Sequence, residues 1–217
     1  MNKNNDNKKH LGNPVLLTEL MILINRCESA YGQKRVFNRV LALVMAELFA
    51  FGRHTITQLL LTLGLTEEDW SAWYRIFSCG RFKEEKTAHV MLQEMLTEVA
   101  EVEPFVVGAD GFHVPRCSQT MLGLNTAKFR PGIQRGQRFV EGSWFTPIVN
   151  GYSRAIPIRC LSAFTEKAVV SEEGARTEVT AGVTFLKWTR QQMDAMGREG
   201  QPLLTLNDGR FDTLEFW

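Results

Sequence analysis

The sequence predicts an α+β protein in two parts: an N-terminal helical bundle over residues 1–101, then a mixed sheet over 102–217. Three observations carry that prediction. Apolar residues recur at spacings of three and four up to about Val102 and in short Val-, Ile- and Phe-rich runs beyond it. Glycines stand where each helical stretch stops. The second half orders its segments as strand, strand, strand, helix, strand, which gives an antiparallel meander followed by a crossover helix and a parallel strand.

In the first half, "LLTELMILINRCESAYG" and "RVFNRVLALVMAELFAFG" are amphipathic helices ending at Gly32 and Gly52. Thr55 opens "TITQLLLTLG", which stops at Gly64. Thr66 opens "TEEDWSAWYRIF", whose acids sit in the first turn and whose Asp69, three residues on, forms an approximate capping box. "KEEKTAHVMLQEMLTEVAEV" is a longer amphipathic helix. The pair Thr55–Gly64 and Thr66–Phe77 has the form of a helix-turn-helix that would turn Arg75, Arg81 and Lys83 outward, although any helical bundle contains such pairs. Trp70, Trp73 and Phe77 fall on one face, as a core stripe or as a stacking platform.

In the second half, "PFVVGAD", "SWFTPIVNG" and "RAIPIRCLSAF" read as strands, with a hairpin turn at "NGYSR". "TEVTAGVTFLKWTRQQMDAMGREG" carries the helical stripe Val183, Leu186, Trp188, Met193 and Met196, and "PLLTLND" is a last short strand. The first strand climbs through Phe105-Val106-Val107 to Asp110 and breaks at Gly111. Asp-Gly is a turn dipeptide, and a carboxylate at a strand end is also a metal ligand; both readings are open at this point. The strand order puts Asp110 and Asp208 at the C-terminal ends of the first and fourth strands. As parallel neighbours, the two would emerge side by side and repel, and a divalent cation is their natural partner. Asp212 competes with Asp208 but better suits the cap of a following helix.

Bulk properties narrow the field. The 217 residues are 44% hydrophobic and 23% charged, ordinary globular usage, with net charge +1. No apolar run suits a membrane span and the polar N-terminus lacks a signal core, so the expectation is a cytoplasmic protein. Cys27, Cys79, Cys117 and Cys160 show no C-x-x-C pair, and His10, His54, His89 and His113 no ligand spacing. There is no P-loop, G-x-S-x-G or H-E-x-x-H. Charge distribution says more than its total. From Gly111 to Val140 stand Arg116, Lys128, Arg130, Arg135 and Arg138 with no acid, a basic loop bracketed by Asp110 and Glu141 that suits a phosphate-rich partner or is a solvated surface segment.

The stretches "VVGADGFHVPR", "GIQRGQRFVEGSWFTPIVNGYSRAIPIRCLSAF" and "LLTLNDGRFD" resemble the catalytic domain of insertion-sequence DDE transposases, which has an RNase H-like fold. The resemblance spans about Phe105 to Trp217, and "GQRFVEGSW…YSRAIPIR" is its most specific part. It implies a partial RNase H-like sheet in which Asp110 and Asp208 are the first two catalytic acids and hold Mg²⁺ or Mn²⁺. Arg116, Lys128, Arg130, Arg135 and Arg138 would then bind the backbone of double-stranded DNA, at the element's ends and at the target, and a homodimer is the further expected assembly. The family's third acid lies on a helix well downstream of the second. Glu215 comes too soon to serve, so the expectation is a truncated form lacking that acid. The alternative is a catalytically dead DNA-binding or dimerising remnant.

Overall fold

A computed structural model describes residues 15–78, 80–116, 125–128, 133–164 and 177–211. Arg130, Asp212, Glu215, Cys79, Cys117 and His10 lie outside the described residues. Six α-helices and a five-stranded mixed sheet make up the described chain, in two compact units that meet at Thr87 and Ala88.

The first unit is helical, as expected. Helix α1 spans Val15–Arg26 and runs into a 3₁₀ turn, Cys27–Ala30. Helix α2 is Lys34–Phe49, and α3 is Ile56–Thr62. Thr55 caps α3 by accepting from the Gln58 N–H, and Gly64, at φ 72°, closes its end in the left-handed conformation. Helix α4, Ser71–Ser78, starts five residues later than Thr66 would have it. Asp69, not Thr66, ties down its first turn: Oδ1 accepts from the Ser71 N–H at 2.9 Å. Residues 63–70 separate α3 from α4, a longer connection than the tight turn of a helix-turn-helix. Leu43, Ala46, Leu59, Leu60 and Trp73 form the core of this unit, with Trp70 packed against it. Phe77 stands outside that core at 64% exposed, so the aromatic stripe divides between core and surface.

Helix α5, Glu84–Thr97, carries Ala88, Leu92, Met95 and Leu96 into the core of the second unit. That core lies between α5, α6 (Glu178–Ala195) and one face of the sheet. Thr177 caps α6 in a reciprocal box with Thr180. Arg198 donates to the Leu96 and Val99 carbonyls, and Gln201 donates to those of Ala100 and Glu103. These bonds fasten the end of α5 to the turn after α6.

The strands are β1 (Phe105–Pro115), β2 (Asn125–Lys128), β3 (Ile133–Phe145), β4 (Ala155–Ser162) and β5 (Leu203–Thr205). β3 is central. It pairs antiparallel with β1 on one side and with β4 and β2 on the other, and β5 lies parallel to β1. The expected meander, crossover helix and parallel strand are therefore present, with β2 as an additional short strand. Three expectations change. β1 does not break at Gly111, because the antiparallel ladder to β3 continues past it to Pro115↔Gly136. The basic segment is largely sheet and not loop, since Lys128, Arg135 and Arg138 lie in β2 and β3. The second long strand begins ten residues before Ser143 and stops at Phe145, short of Pro147, whose ring would interrupt a ladder. Pro157 is tolerated in β4 because that strand has a single partner, β3, among the described residues.

Candidate functional site

Along β1 the side chains alternate between the two sheet faces. Phe105, Val107 and Ala109 are buried on the face covered by α5 and α6, whereas Asp110 is exposed on the other. Asp110 lies in the middle of β1 and not at its end. What ends near it is the parallel neighbour. β5 pairs with β1 only through Val107↔Thr205, and Leu206 then donates its N–H to the Val107 carbonyl at 2.8 Å. The next ladder position is filled by a side chain, with Asn207 Oδ1 accepting from the Ala109 N–H at 2.8 Å. The chain turns away there, at Asp208. The Phe211 N–H returns to the Asp208 carbonyl at 3.1 Å, and the Phe211 ring, 2% exposed, anchors the turn in the core.

This termination brings Asp110 and Asp208 to the wall of one open cavity of about 850 Å³, together with Glu141, Ser143 and Phe145. Gly108 floors it. A Cβ there would stand 2.5 Å from the Phe145 ring and 2.6 Å from the Leu206 carbonyl oxygen, so only glycine lets β5 and Phe145 close on β1 at this level.

Glu141 was not singled out from the sequence, where it only marks the end of the acid-free segment. In the sheet it is the direct cross-strand partner of Asp110. Its Oε1 accepts from Ser143 Oγ at 3.1 Å. Two carboxylates on opposed positions of one sheet face disfavour each other. Only the register of β1 on β3 discloses the pair. Among the described residues, no group of three or more His, Cys, Asp or Glu side chains is arranged to hold a metal ion. The Asp110 and Asp208 donor set does fit Mg²⁺: both are solvent-accessible oxygen ligands, and that ion is commonly held by one or two carboxylates, with water and phosphate oxygens completing its shell.

The basic residues separate by face. Arg135 alternates onto the same side as Gln137, Phe139 and Glu141. Arg116 joins them, donating Nε–H to Gln137 Oε1 at 3.1 Å while its backbone N–H bonds the Arg135 carbonyl. Lys128 lies in β2, whose side chains are outside the described set, as is Arg130.

Arg138 faces the other way, toward α6. Its Nε stands 2.9 Å from Oε1 of Glu178 and donates to Nε2 of His113, its cross-strand partner, at 2.7 Å. Glu178, the first residue of α6, is 4% exposed. Sequence reasoning missed it too, because a glutamate opening a helix reads as a surface acid favouring the dipole. Arg159, in β4, lies over the Trp188 ring at 4.9 Å, a structural contact to α6.

In the helical unit Arg75, Arg81 and Lys83 are all exposed, as the sequence suggests. No described helix is long and apolar enough to cross a membrane. Comparison with known proteins finds no matching family model, curated protein or solved structure.

Proposed function

We propose that the sheet unit is a partial RNase H-like catalytic domain of the DDE transposase class, carrying the first two of that domain's acids and serving metal-dependent cleavage and strand transfer of DNA. One observation carries the reading. Asp110 and Asp208, nearly a hundred residues apart in sequence, line one open cavity at the end of a parallel strand pair. The order of strands supports it, with two antiparallel neighbours and a crossover helix leading to a strand parallel to the first.

In this reading Asp110 and Asp208 hold Mg²⁺ or Mn²⁺ by their carboxylate oxygens. When bound, such an ion activates an attacking oxygen and stabilises the leaving one in phosphodiester displacement. Arg116 and Arg135, on the same sheet face, seat the DNA backbone by charge, in contacts that weaken with salt and are indifferent to base sequence. The attacking oxygens are those of water and then of the freed 3′-hydroxyl, so no side chain is assigned as a nucleophile. The exposed Arg75, Arg81 and Lys83 of the helical unit are further phosphate contacts.

The test is Mn²⁺ titration of the full chain beside Mg²⁺- or Mn²⁺-dependent cleavage of DNA carrying insertion-sequence ends. Asp110→Ala and Asp208→Ala are each expected to abolish cleavage and to weaken Mn²⁺ binding by at least tenfold. Unchanged Mn²⁺ binding in both variants overturns the reading. DNA retention without cutting under either ion favours the alternative, a DNA-binding or dimerising protein that does not cleave.

A further inference from the structure

Behind Asp110, on the opposite side of the sheet, the molecule keeps a charge where packing alone would place an apolar group. Glu178 is 4% exposed, at the start of α6. A buried carboxylate is retained only with good partners, and its partners belong to the two strands that carry the cavity acids. Arg138 of β3 stands 2.9 Å from its Oε1 as the ion-pair partner, and the same guanidinium reaches His113 of β1 by donating to Nε2. These two are opposed in the ladder and bonded to each other. Gly111 completes the seat. Its missing Cβ would lie 3.1 Å from Glu178 Cδ, so the carboxyl group rests against bare backbone immediately after Asp110. The cluster therefore touches the ladder at Gly111 and at His113↔Arg138, while the Asp110↔Glu141 pair faces away from it one position earlier.

We propose that Glu178 is a positioning residue, one that locks the start of α6 to β1 and β3 and so fixes the aim of Asp110 into the cavity. It makes Arg138 a part of that lock and removes it from the phosphate-binding set. The functional half of this inference rests on the metal-site reading above; the mechanical half does not. The chemistry fits the geometry. A carboxylate at the first position of a helix is favoured by the helix dipole. It also neutralises the guanidinium, and the bond from Arg138 to His113 Nε2 holds the imidazole in the tautomer protonated on Nδ1. Removing either member of the Glu178–Arg138 pair leaves the other without charge compensation in a half-buried place.

The experiment uses the full chain and two readouts, Mn²⁺ affinity and backbone amide hydrogen exchange, with circular dichroism to verify folding. Glu178→Gln keeps the shape and removes the charge. It is expected to weaken Mn²⁺ binding about tenfold, the usual scale for a residue that orients a metal ligand. Exchange over 110–113 and 138–141 should accelerate at least tenfold, with that of α2 unchanged. Combining it with Arg138→Gln, which removes the other half of the lock, should weaken Mn²⁺ binding no further than Glu178→Gln alone, the non-additivity of two residues acting as one pair, whereas independent losses of packing would add. Should Glu178→Gln fail to fold, Gly111→Ala leaves every charge in place and presses its methyl group on the carboxyl group, 3.1 Å from Cδ, and it is expected to give the same two changes at smaller size. Wild-type exchange at these positions in whichever of the two variants folds overturns the lock. A wild-type chain with no Asp110-dependent Mn²⁺ binding sinks the metal reading instead, and exchange alone then decides whether the lock exists.

Discussion

The two faces of the sheet come from the same strands and have opposite fates. On one, Phe105, Val107, Ala109, Val140 and Trp144 pack beneath α5 and α6, with Phe105 and Trp144 stacked at 5.9 Å and Phe185 and Trp188 above. On the other, alternate residues of β1 and β3 are Asp110, Phe112, Phe139 and Glu141, and Phe112 remains 37% exposed even though it stacks on Phe139. Period-two alternation alone separates them. The difference shows which face tolerates chemistry. The covered face is specified by shape, down to two glycines that leave room for α6. The open face carries charges that contribute nothing to packing.

Truncating the covered face should have the largest effect. Phe185→Ala is expected to destabilise by about 3–5 kcal/mol in urea unfolding, as deletion of a buried aromatic does. Gly142→Ala should follow at about 1–3 kcal/mol, because its new Cβ falls within the Phe185 ring. If either change leaves the unfolding midpoint in place, the packing of α6 on β3 described above is wrong.

The open face should behave in the reverse manner. Asp110→Ala is expected to change stability by less than about 0.5 kcal/mol, the usual range for surface sites, while abolishing metal-dependent cleavage. A large loss of stability with activity retained would make Asp110 structural and erase the contrast. Glu141→Gln sharpens it further. Relieving the like-charge pair should stabilise the metal-free protein by about 0.2–1 kcal/mol. That gain should vanish in saturating Mn²⁺, where neutralisation by the ion has already removed the repulsion; differential scanning calorimetry with and without Mn²⁺ measures both.

The smallest effect lies in the helical unit. Hydrogen bonds from the Ser71 side chain and backbone hold the Asp69 carboxyl below the ordinary carboxylate value. A depressed folded-state pKa contributes stability that is present above the unfolded value and is lost as pH falls through the folded one. The start of α4 should therefore fray under acid, below about pH 4, before the rest of the unit. The Ser71 amide resonance followed through an acid titration reports it, and a resonance that does not move would remove Asp69 from that role.

What sequence alone determined was local. Thr55 and Gly64 bound α3 because a cap and a left-handed closing residue act within one turn of helix. The helical period of α6 and the short run of β5 were legible for the same reason, although the buried stripe of α6 runs through Ala181, Phe185, Trp188 and Met193 and leaves Val183 and Leu186 half-buried. The proximity of Asp110 and Asp208 also followed from segment order, since a strand returning after a crossover helix lies parallel to an earlier one. Tertiary structure decided the rest. β1 crosses Gly111 because β3 supplies its hydrogen-bond partners, and β3 extends into the basic segment because β1 and β2 supply its own. No window of sequence contains that register. The pairing of Glu141 with Asp110 and the seat of Glu178 against Gly111 depend on it, since the first joins two strands and the second a strand and a helix. Caps and periods are properties of one segment. Register and burial are properties of two, and the placements of Glu141 and Glu178 are of the second kind.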